Sequence, residues 1–569
     1  MQEATGAEVS LPERTASTRH FLVGFVVAGL LLTAVVSGLT FYFFGTMRRA
    51  PFGLVDDHEI LRFLGADHMV RFSEIPHILL SQTELGQWGS SSRFRPVYYL
   101  FRIIEAAIQG DNAGQWYLTR LVLLAVTAVG VGFLVLRVLF VPRLSRVGQL
   151  LVVVCALAAG ILIVSMPAWR DIATRLGPSE IYVGLGVVLF VHGIYDAWRT
   201  PGRTRGWLVL LAGFLVAVGS KEDGVLLLVP LVLIYISRFP SAKHKWVIAV
   251  CGVGSVLFAA FIALGALLGA SSSGGDIYGN GRSLYGFLKI LPNNAYVYAA
   301  ILTFVVALVC DELAQRSEHD VAYRVSRRNF FRACEQRPYA SSAGLLLFMV
   351  AGEAFFYQNY FENGDFLYGR YAFLTQFALI LACFVTLASV LRLGSRASVP
   401  RVILVWVIVL LVLVPPIGGQ VLSAFALNRG TATETTAKLA VVSGQIAAGV
   451  RELEQHQNSQ VVLKVDHPFD YELVFSLPEF LAFYAGTKSV FLAVNIPRLS
   501  PTDGSPLPSD PLSLSLGSKL ATMAKTGATE SGWRVRPANQ FDPTKYTVCF
   551  YFGAKPDNLQ ECDSSRQIG

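Results

Sequence analysis

Charge is what this sequence has least of. Asp, Glu, Lys and Arg make up 15% of its 569 residues, where a soluble chain of this length carries about a quarter. It also lacks a CxxC pair, any Cys/His spacing suited to a zinc site, and an internal repeat of solenoid period. These absences exclude a soluble globular domain, a zinc-ribbon or thiol-redox module, and a repeat array. The seven cysteines are scattered. Cys155, Cys251, Cys310 and Cys383 lie in or beside apolar runs and read as small core residues, and Cys334 falls in a basic loop. Cys549 and Cys562 lie together in the tail, where an oxidising compartment would let them pair; two free thiols are the alternative. The formal charge of +8 does not point to nucleic acid, because membrane proteins collect Lys and Arg in their cytoplasmic loops.

What the chain does have is long apolar runs. Eleven spanning candidates cover 20–46, 119–139, 148–167, 179–198, 206–220, 223–237, 246–269, 293–311, 341–358, 371–391 and 400–424. The expected fold is a polytopic α-helical membrane protein with a small C-terminal α/β domain. The first run is too long for a signal peptide and has no convincing cleavage site, so it should remain as an anchor. Basic residues concentrate in alternate short loops: Arg143 and Arg146, then Arg199, Arg203 and Arg205, then Arg238, Lys243 and Lys245, then the 316–337 stretch, then Arg392, Arg396 and Arg401. Those loops should be cytoplasmic, with the N-terminus; Arg48 and Arg49 alone run against the pattern. The tail should lie outside. The division falls at 1–426 for the membrane unit, with a long first outward loop at 48–118, and 427–569 for the tail. The tail alternates strand-like runs (VVLKV, SVFLAV, WRVRP, TVCFYF) with helix-like ones (EFLAFYAG, KLATMAKTG).

The outward loops hold the chemistry. Just after the first span, GLVDDHEILRFLG puts Asp56, Asp57, His58 and Glu59 in a row; a helix there would set Asp56 and Glu59 on one face. Adjacent carboxylates repel, an arrangement suited to handling a proton or a metal. Further along the same loop, SRFRPVYYLFR supplies Arg93 and Arg95, and Arg suits a phosphate. Later outward loops add Arg175 and Glu180, then Lys221, Glu222 and Asp223 between two short apolar runs, then Glu362, Asp365 and Arg370. A charge at the depth of Lys221 is a functional hypothesis, with a structural ion pair to Glu222 as the alternative.

An acidic pair after the first span, in a long outward loop with amphipathic segments, resembles the C-type (GT-C) membrane glycosyltransferases, the superfamily that includes protein O-mannosyltransferases, aminoarabinose transferases and arabinosyltransferases. Asp56-Asp57 stands at the position of that superfamily's acidic motif, and RFRPVYYLFR is similar to its juxtamembrane segment. SEIYVG and SKEDG are similar to its later acidic and Lys-Glu sites. Beyond that point only topology matches. The second acid is Asp where the family carries Glu, and the tail matches no family domain. The resemblance implies a GT-C-like fold and an inverting transferase on the outer face of the membrane. Its donor would be a polyprenyl-phosphate-linked sugar and its acceptor a hydroxyl on a lipid, glycan or protein. Asp56 or Asp57 would be the base, Asp56 aligning with the family's leading acid. Arg370 and Lys221, then Arg93 or Arg95, would hold the lipid phosphate, with His58, Glu59, Glu180 and Glu222 as further site candidates. No cofactor is required; in a metal-dependent variant, Asp56, Asp57, His58 and Glu59 would hold Mg2+ or Mn2+. The implied location is a bacterial inner membrane, tail in the periplasm. The rival readings are a polysaccharide polymerase or ligase and a lipid or solute transporter.

Overall fold

Lipid offers a backbone no hydrogen-bond partners, so each apolar run satisfies its N–H and C=O groups within itself by coiling into a helix. The computed structural model describes residues 11–87, 94–140, 146–272, 284–318, 337–358, 361–362, 365–366, 369–394, 399–456, 459–465, 471–486, 489–494, 534–537, 544–552 and 564–568. The chain opens with α1 (Leu11–Phe44), followed by a loop carrying α2 (His58–Leu64), α3 (Ile75–Ser81) and α4 (Pro96–Gln109). Next come α5 (Ala113–Leu139), α6 (Arg146–Val164), the single turn α7 (Trp169–Ile172), α8 (Glu180–Arg199), α9 (Thr204–Ser220) and α10 (Leu228–Arg238). They are followed by α11 (Lys245–Ser272), α12 (Leu284–Ile290), α13 (Ala295–Glu318), α14 (Pro338–Phe356), the hairpin β1 (Phe361–Glu362) and β2 (Asp365–Phe366), α15 (Phe373–Gly394) and α16 (Val399–Gln455).

Among the described residues, seven helices are long and apolar enough to cross a membrane, beginning at residues 22, 113, 180, 245, 295, 338 and 369. Gly148–Val164 and Thr204–Ser220 are shorter apolar helices. The chain is a helical membrane protein. Two expectations change in detail. The stretch at 223–237 is not one helix: a 3-10 turn at Glu222–Leu227 precedes α10. Gly224 lets that turn fold back on α9, where a Cβ would lie 2.8 Å from the Ala217 carbonyl. The boundary drawn at 426/427 falls inside α16, whose 57 residues span about 85 Å. Ala424, Asn428 and Ala432, then Val442, Ile446 and Val450, make one buried face along it, and that packing carries the helix through Gly430.

Two buried carboxylates prove to be caps. Asp311 on α13 accepts the Tyr339 and Ala340 N–H groups at 3.0 and 2.9 Å, closing the start of α14. Glu353 on α14 accepts the Leu374 N–H at 3.0 Å and that of Thr375, closing the start of α15. After α16 come β3 (Gln460–Val465), α17 (Tyr471–Ala485), β4 (Ser489–Val494), β5 (Arg534–Pro537), β6 (Thr547–Phe552) and β7 (Ser564–Ile568), the strands forming one parallel sheet in the order β5-β4-β3-β6-β7. Its centre is apolar on both faces, as parallel strands require: Val461, Val462, Leu463, Val548, Cys549 and Phe550 are buried. The four strand-like runs are strands. SSRQI joins them without any hydrophobic pattern, and KLATMAKTG lies outside the described residues. Cys549 is disulfide-bonded; Cys562, its expected partner, lies outside the described residues.

Candidate active site

Four loops, far apart in sequence, meet at one end of the bundle. The first brings Asp56, which has φ +69, a left-handed backbone that a residue with a Cβ rarely adopts. The geometry works because Gly177, from the loop before α8, packs directly on the Asp56 side chain; a Cβ there would collide with it. The Asp56 carboxylate is 32% exposed and stands 3.7 Å from the Arg370 guanidinium, an ion pair too long for a hydrogen bond. Burial works to raise its pKa, but Arg370, then Arg175, then His58 and Arg102 outweigh that and hold it below the usual Asp value.

Asp57 takes the opposite environment one residue later. It is 1% exposed, and its Oδ2 accepts the Gly53 N–H at 2.6 Å. Burial pushes its pKa up to about 7, against the pull of that N–H. The pair left open by the sequence thus divides: Asp56 faces the cations, while Asp57 ties the loop together.

Arg370 lies in the turn Gly369–Ala372, and Glu353, by capping α15, fixes where that turn ends. Its backbone N–H donates to Asp171 at 3.3 Å. Beside it is a second cluster. The Lys221 ammonium bonds Glu180 at 2.9 Å and Asp223 at 3.2 Å, over the rings of Tyr357 and Tyr371. Burial opposes its charge, but Asp223 and Glu180 hold its pKa well above the usual Lys value. Lys221 is buried and doubly paired, so its charge is spent inside the protein; its partners are Glu180 and Asp223 rather than the adjacent Glu222. The Tyr357 hydroxyl donates to Asp223 at 3.1 Å. Arg175, half-buried, extends its field to Asp56 and makes no ion pair with a described residue.

The other candidates go elsewhere. Arg95 bonds Glu84 at 3.0 Å and lies over the rings of Tyr98 and Tyr99. Glu222 accepts the Phe94 N–H at 3.0 Å. Glu59 accepts from the Tyr99 hydroxyl at 3.4 Å. His58 Nδ1 is 3.1 Å from Ser476 Oγ on α17, and burial lowers its pKa. Arg93 lies outside the described residues. The four residues of the acidic stretch therefore engage four different partners. Among the described residues no group of three or more His, Cys, Asp or Glu side chains is gathered for a metal ion, so this row does not fit a divalent cation.

Sequence reasoning gives no separate role to Arg102, inside the long first loop, or to Arg120, at a span boundary where an Arg ordinarily snorkels to water. Both are fully buried. No family model, curated protein or solved structure matches the chain.

Proposed function

We propose that this protein is an inverting membrane glycosyltransferase that moves a sugar from a polyprenyl-phosphate carrier to a hydroxyl acceptor, with Asp56 as general base. One observation carries the reading: a half-exposed carboxylate, ionised at neutral pH, faces Arg370 and Arg175 at the meeting point of four loops. The acceptor oxygen attacks the anomeric carbon while Asp56 takes its proton. The bond from that carbon to the phosphate oxygen breaks, its electron pair leaves with the lipid phosphate, and the anomeric centre inverts. Arg370 and Arg175 face the departing charge. Once an anionic donor pairs with those cations, their hold on Asp56 weakens and its pKa rises, which makes it a better base in the complex than in the free protein. No step requires a metal.

The finer topology belongs to the same proposal: eleven crossings, the N-terminus in the cytoplasm of a bacterial cell, and the site and the sheet outside the inner membrane. It is supported by the meeting of the loops after candidates 20–46, 148–167, 206–220 and 341–358, which basic-residue counting assigns to one side. The crossing at 223–237 would consist of the 3-10 turn plus α10, together about 28 Å long and near the hydrocarbon thickness. The transporter reading draws little support, because the mid-helix acid it would use, Glu353, is occupied as a cap.

The test is genetic. The gene is deleted and restored as wild type, Asp56→Asn or Asp57→Asn, and envelope glycans and lipid-linked sugars are read by mass spectrometry. The expected result is loss of one sugar with accumulation of its polyprenyl-phosphate donor, not reversed by Asp56→Asn. Full restoration by Asp56→Asn, at equal protein level, would refute the reading.

A further inference from the structure

Beneath the Asp56 carboxylate lies a buried polar network that the reaction, as written, does not use. Arg102 of α4 and Arg120 of α5 both aim at one atom, the Leu176 carbonyl oxygen; the Arg120 bond is 2.8 Å long. The second Arg102 amino group donates to the carbonyl of Asp56 itself, at 3.3 Å. The Tyr98 hydroxyl donates to the next carbonyl, that of Gly177, at 2.7 Å. Arg120 is matched by Glu105 at 3.8 Å, whose carboxylate also accepts from Tyr182 at 2.7 Å. Two guanidiniums on one carbonyl is a costly arrangement in a dry interior. Both side chains are fully buried, and the Nε atoms of both, with Arg120 Nη1, lack a partner. Apolar residues would fill the space without that cost. What the arrangement does achieve is geometric. Gly177, next to Leu176, is the residue that packs on Asp56, and the Asp56 peptide is held in a backbone conformation costing about 1–3 kcal/mol when left to itself.

We infer that Arg102 is a positioning residue: by bridging the Asp56 and Leu176 carbonyls, it locks the left-handed turn at Asp56 and so aims the carboxylate at Arg370. Arg120 braces the same bridge from α5. The inference rests on the proposed role of Asp56 for its meaning in catalysis, but its geometric content stands apart from that role.

The experiment uses the full chain in lipid nanodiscs. Amide hydrogen exchange is followed for the segments 53–57 and 173–179 in wild type, Arg102→Gln and Arg102→Lys. The expected result is exchange at least about tenfold faster in both segments for Arg102→Gln, with α5 and α8 unchanged and Arg102→Lys intermediate. Equal protection in wild type and Arg102→Gln would overturn the inference. If Arg102→Gln does not fold, Gly177→Ala disturbs the same turn from the other side while leaving both arginines in place. That variant serves only as a control for disturbance of the turn; the deciding fallback is Arg102→Lys, whose single ammonium cannot bridge both carbonyls, so faster exchange in both segments is expected and wild-type protection overturns the inference.

The link to chemistry is read with polyprenyl-phosphate mannose and polyprenyl-phosphate arabinose as donor probes. Arg102→Gln should move the acidic limb of the pH–rate profile upward, because it removes a cation that helps keep Asp56 ionised. Simple loss of folded protein would lower the whole profile without moving its limb, and that result would count against positioning. If Asp56→Asn transfers sugar as fast as wild type, the functional reading fails, and the exchange result still decides whether the lock exists.

Discussion

Asp57→Asn separates the two neighbouring acids most sharply. The Asp57 carboxyl is buried, and its pKa rises from 3.8 to about 7 on folding. A group whose folded pKa is raised stabilises the folded state fully below its unfolded value, and that contribution is lost as pH climbs through the folded one. Asp57 should therefore cost the wild-type protein stability progressively between about pH 4 and pH 7, and no further above that. The shift of roughly three pKa units corresponds to about 4 kcal/mol. Spread over the unfolding entropy of a chain this long, that is about 3 °C in melting temperature. Asparagine keeps the acceptor for the Gly53 N–H and has no charge to bury. Thermal melts of purified wild type and Asp57→Asn, from pH 4.5 to 8.5, should diverge with rising pH, the variant becoming the relatively more stable. Parallel curves would mean that Asp57 ionises freely in the fold and would refute its assignment to the interior.

Asp56→Asn should lower sugar transfer by at least about a hundredfold, as loss of a general base does, whereas Asp57→Asn should stay within about tenfold of wild type; product per folded molecule decides. The base must be ionised, and the Asp56 pKa lies below the usual value, so kcat/KM should hold from neutrality down into the ordinary Asp titration range and fall only below it. A limb centred near 7 would point to Asp57 instead. Lys221→Met strands Glu180 and Asp223 without their cation and should cost about 3–5 kcal/mol, seen as a lower melting temperature; neutralising both acids in the same variant should recover part of it. Arg175→Gln should raise KM for a polyprenyl-phosphate donor at unchanged stability. Arg95→Gln, which breaks the pair with Glu84, should lower stability and leave KM alone.

The sequence by itself determined that the chain lives in a membrane and roughly where its helices run; its basic residues also raise the expectation that alternate loops share a side. These follow from the energetics of burying apolar runs and from charge asymmetry, both local properties. It also singled out Asp56, Arg370, Lys221 and Glu180 as chemically interesting. Their meeting could not be read from it, because they lie in loops separated by whole spans. Only the tertiary structure decided their roles. It gave two adjacent aspartates opposite environments, because a left-handed turn points one at Arg370 and the other into the interior. It also paired Lys221 with Glu180 and Asp223 rather than with the adjacent Glu222. By position alone Arg102 is a loop charge, Arg120 a boundary charge and Glu353 a mid-span charge; their work as braces and caps depends on carbonyls and N–H groups contributed by other elements. A side chain's type and spacing set the chemistry it can offer, but its pKa and partner are set by what packs against it, and that comes from residues far along the chain.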